Sequence, residues 1–77
     1  MQIIDTKIEY FDDEELDTLA GISPDNFTKK QIESVSEVFY SMHENDVAPW
    51  LRSLQLRTIQ LPDFLREEAL MIVGERR

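Results

Sequence analysis

The chain has no cysteine, a single histidine and only two glycines among its 77 residues, and each scarcity closes a route to function. Without thiols no disulfide can brace the fold, which suits a reducing compartment. One imidazole, that of His43, cannot supply an ordinary zinc site. It also finds no persuasive serine partner for a nucleophilic triad. Two glycines do not build a phosphate-cradling loop.

Long apolar runs are missing as well. Nothing approaches the ~20 consecutive apolar residues of a membrane span, and no basic region followed by an apolar stretch opens the chain. The expectation is a cytoplasmic protein. A chain of this length is read as one domain, residues 1–77, with little material for a deep, water-excluding cleft. The reading is therefore not an enzyme, with no cofactor and no metal.

What is present is acid. Sixteen acids face eight bases, for a net charge of −8. Residues 1–46 carry twelve acids and three lysines, net −9, whereas residues 47–77 carry four acids and five arginines, net +1. A field of this sign repels phosphates and anionic lipid and favours basic partners. Neither direct nucleic-acid binding nor membrane binding is expected. The same charge also serves the plainer end of keeping a small domain dissolved.

Hydrophobic periodicity gives an α+β expectation: a mostly helical small domain with an N-terminal strand, three helices and a second strand pairing antiparallel with the first. Ile4, Thr6, Ile8 and Tyr10 alternate with Asp5, Lys7 and Glu9, the pattern of a half-buried strand. Asp12 or Asp13 then caps a helix of two turns at most, with Leu16, Leu19 and Ala20 inward and Gly21 as its stop. After the Ser23-Pro24-Asp25-Asn26 connector, Thr28 and Gln31 form a capping box. It opens the longest helix, expected from Lys29 to Glu44 with Ile32, Val35, Phe39 and Met42 on its apolar face. Residues 46–61 are ambiguous. A short helical turn around Pro49 and Trp50, followed by extended chain from Gln55 to Leu61, is preferred over a longer helix. Pro62 and Asp63 start a last helix carrying Phe64, Leu65, Ala69 and Ile72, stopped by Gly74, with residues 75–77 as a frayed tail.

The candidate partner-binding residues are the acidic run Asp12, Asp13, Glu14, Glu15 and Asp17, extended by Glu33 and Glu37. The run lacks the alternating oxygen ligands and central glycine of a calcium loop. Its structural alternative is a well-capped helix start. Arg52 and Arg57 beside Trp50 form a second, smaller candidate surface, read more simply as a solvated rim around a core tryptophan. Phe11, Phe27, Tyr40 and Trp50 fall near element ends, as interface anchors or as lids on a small core.

The function expected from these features is a protein-binding module, an acidic inhibitor or modulator that occupies a basic surface of its partner, such as a nucleic-acid-binding face. Phage-encoded inhibitors, immunity proteins and small assembly chaperones share this size and charge, although no motif here carries the comparison. The alternative is a small structural or assembly subunit that associates by strand addition or through an apolar helix face, with a homodimer as one form.

Overall fold

The computed structural model describes residues 8–75, without the side chain of residue 75. Among the described residues the fold is all-helical: a 3₁₀ helix Glu14–Leu19, a 3₁₀ turn Pro24–Asn26, then α1 (Lys29–Tyr40), α2 (Glu44–Leu56) and α3 (Asp63–Glu75). The α+β expectation is overturned, because the described residues contain no strand and no sheet. Residues 8–11 carry no regular structure, and the rest of the expected first strand lies outside the described residues.

The expected second strand fails for a physical reason. The alternating pattern that suggests it runs from Leu54 to Leu61 and puts Leu54 and Leu56 on the same side. In the molecule both belong to the last turn of α2, and two residues apart on a helix point to nearly opposite sides. Leu54 is buried while Leu56 is exposed. The chain then turns at Arg57 and Thr58, with Thr58 in the left-handed region at φ 58°. Ile59 and Leu61 reach the core from irregular backbone.

The long helix is also divided. The Thr28–Gln31 capping box is present in both directions: Gln31 N–H donates to Thr28 Oγ1 at 3.1 Å, and Thr28 N–H donates to Gln31 Oε1 at 2.8 Å. But α1 ends at Tyr40, and His43 begins α2 as its N-cap, its Nδ1 accepting from Asn45 N–H at 3.0 Å. What looked like the tail of one helix is the start of the next.

Helix α2 runs through Pro49. Proline inside a helix removes one N–H and crowds the carbonyl four residues back, a cost of roughly 3 kcal/mol. Burial of Val47, Trp50, Ser53 and Leu54 along one face offsets it. At Gly21, φ is 76°, which ends the 3₁₀ helix as the sequence suggests. Its N–H then donates to Thr58 O at 2.9 Å, joining the turns that follow the 3₁₀ helix and α2. Helix α3 continues through Gly74 rather than stopping there.

The core is assembled from Leu16 and Leu19 of the 3₁₀ helix Glu14–Leu19, Phe27 just before α1, Val35 and Phe39 of α1, Val47, Trp50 and Leu54 of α2, Ile59 and Leu61 of the linker, and Leu65 and Ala69 of α3, whereas the 3₁₀ turn Pro24–Asn26 buries nothing. Phe39 stacks on Trp50 with ring centroids 6.0 Å apart. No described helix is long and apolar enough to cross a membrane.

Candidate functional site

The acidic run occupies the approach to the 3₁₀ helix Glu14–Leu19 and that helix itself, and the structure sorts its carboxylates into two sets. Asp13 precedes the helix but makes no side-chain cap. Its carboxylate turns inward instead and is fully buried. Oδ1 accepts from Phe11 N–H at 2.9 Å, while Oδ2 accepts from Trp50 Nε1 at 2.9 Å and Arg57 Nη1 at 3.0 Å. Burial alone would raise the Asp13 pKa. The hydrogen bonds from Phe11, Arg57 and Trp50 outweigh it and hold the group below the ordinary carboxylate range.

Arg57 is the hub of this anchor, with a side chain 2% exposed. Besides Asp13 Oδ2 it donates to Asp13 O from Nη2 at 3.0 Å, to Ser53 Oγ from Nη1 at 3.2 Å and to Asp17 Oδ1 from Nε at 2.8 Å. Burial opposes its charge, but bonds to Asp17 and Asp13 prevail and raise its pKa. The Tyr10 ring lies over the guanidinium at 4.4 Å, and the Tyr10 hydroxyl donates to Asp17 Oδ2 at 3.0 Å. Ser53 Oγ donates to Glu9 O at 2.6 Å. No buried polar side-chain atom among the described residues lacks a partner. A buried charge is tolerated only when its donors and acceptors are satisfied in this way.

Asp17 belongs partly to the anchor. The Arg57 hydrogen bond lowers its pKa most, against a smaller desolvation effect, and the Tyr10 hydroxyl adds to the lowering. Asp12, Glu14 and Glu15 point outward, exposed and with no ion pair to a described cation. Asp12 sits at φ 61°, a conformation aspartate accepts more readily than most residues. Glu33 and Glu37 are exposed on α1, against which the 3₁₀ helix packs, and they too make no ion pair with a described cation.

The residues proposed from sequence therefore divide. Asp12, Glu14, Glu15, Glu33 and Glu37 are displayed, Asp17 is half-displayed, and Asp13 is withdrawn from any docking surface. Sequence alone could not separate Asp13 from its neighbours, because its partners Trp50 and Arg57 lie 37 and 44 residues away. The second candidate surface does not form, since Trp50 and Arg57 are both buried and only Arg52 is exposed. Phe27 is buried, Phe11 is half-buried, and Tyr40 is exposed with its hydroxyl donating to Glu68 Oε2 at 2.8 Å.

Two further surface features are present, the first of them touching the acidic run at Asp12. A hollow is lined by Phe11, Val38 and Met42, with Asp12, His43 and Asp46 around it. It gathers no trio of metal ligands, and none occurs elsewhere among the described residues. On α3, Phe64, Leu70 and Met71 are 49%, 54% and 62% exposed, whereas Leu65 and Ala69 of the same helix are buried. The sequence signal was there: residues 69–73, Ala-Leu-Met-Ile-Val, are apolar without interruption and cannot all face one core. Compared with protein-family models, with curated proteins and with solved structures, the chain matches none.

Proposed function

We propose that the chain is a non-enzymatic binding module whose acidic face docks on a basic surface of another protein, for example a surface that engages nucleic acid. One observation carries the reading. Asp12, Glu14 and Glu15 face solvent without cationic partners among the described residues, while their neighbour Asp13 is anchored through Arg57 and Trp50 to α2. An anchored backbone presents charge with little ordering cost on association. Electrostatic complementarity of this kind speeds encounter and selects partners more than it adds affinity.

The test begins with capture from the native host at low salt, followed by association kinetics with the captured protein. Replacing Asp12, Glu14, Glu15, Glu33 and Glu37 by their amides should slow association at least tenfold and flatten its dependence on salt, with the fold intact. Association that ignores both the amides and the salt would remove this reading.

A second reading has its own observation. Phe64, Leu70 and Met71 on α3 suit an assembly subunit that buries an apolar helix face, in a homodimer or on another chain. Sedimentation over a range of concentrations separates the two: the first predicts a monomer, the homodimer form of the second a mass that rises with concentration.

A further inference from the structure

No further inference is drawn: the strongest candidate, the apolar-floored groove of about 1200 Å³ between α2 and α3, is rimmed by charges of both signs from Arg52, Arg66, Asp25 and Asp63, and nothing in the structure shows what covers it.

Discussion

The indole of Trp50 donates to the carboxylate of Asp13 over 2.9 Å, with both side chains closed to solvent. Each satisfies the other, and Arg57 satisfies both sides of Asp13 through its side-chain and backbone oxygens.

Removing one member is costly. Asp13→Ala leaves a buried guanidinium with Asp17 as its remaining counter-charge and the indole N–H without an acceptor. A loss of about 3–5 kcal/mol is expected, comparable to the whole stability of a domain this small. Urea titration followed by circular dichroism measures it. The paired change Asp13→Leu with Arg57→Met should recover part of the loss, since it removes the buried guanidinium along with its counter-charge, although the Trp50 indole N–H and the Phe11 N–H stay without their acceptor. No recovery would show that the anchor does more than neutralise its own buried charge.

Acid should weaken the fold through the same anchor. Asp13 and Asp17 have folded pKa values below the ordinary range, so their contribution is present above the unfolded value near about 4. It is lost as pH falls through the folded values, because the unfolded chain binds those protons first. Melting temperature should drop from about pH 5 downward, and more gently in Asp13→Asn than in the parent protein. Parallel curves for the two would refute the assignment.

At the alkaline end the sign reverses. Hydrogen bonding to Asp17 raises the pKa of Tyr10, and hydrogen bonding to Glu68 does the same for Tyr40. Their stabilising contribution is complete below the ordinary tyrosine value of about 10 and fades as pH rises through the folded values. Tyrosinate absorbance should therefore appear later in the folded protein than in urea. Tyr10→Phe should remove part of that lag.

His43 caps α2 through Nδ1, which accepts from Asn45 N–H. Aspartate and serine are better N-caps than histidine. His43→Asp should hold or raise the melting temperature, whereas His43→Ala should cost about 1 kcal/mol. Equal stability of the two variants would mean that the cap contributes nothing.

Thr58 adopts φ 58°, which a β-branched residue resists. Thr58→Gly relieves that strain at some cost in chain entropy and should stabilise by roughly 0.5–1 kcal/mol. Destabilisation would show that its hydroxyl, which donates to Arg57 O, matters more than the backbone strain.

Local chemistry was legible in the sequence where cause and effect lie within a few residues. Thr28 and Gln31 gave the start of α1, Gly21 the end of the 3₁₀ helix, and Pro62-Asp63 the start of α3. The failures share a different origin. Leu54-Gln55-Leu56 has an alternation that suits strand and helix equally, and only the burial of Leu54 beside Trp50 decides between them. His43 suits the C-terminal end of one long helix, where an imidazole meets the negative pole, as well as the N-cap of a new one, so the residues around it do not mark the break after Tyr40. The candidate site was half legible: the run of acids is plain in sequence, but the inward turn of Asp13 depends on partners supplied by α2.

The long separation between Asp13 and Arg57 also orders events in time. Closing a loop of 44 residues costs about 3 kcal/mol in chain entropy beyond a constant, and Trp50, Ser53 and Arg57 share one face only once α2 has wound. Residues 9–17 are thus expected to dock late, onto helices already formed. Mutations in the anchor should then quicken unfolding while leaving the refolding rate nearly unchanged.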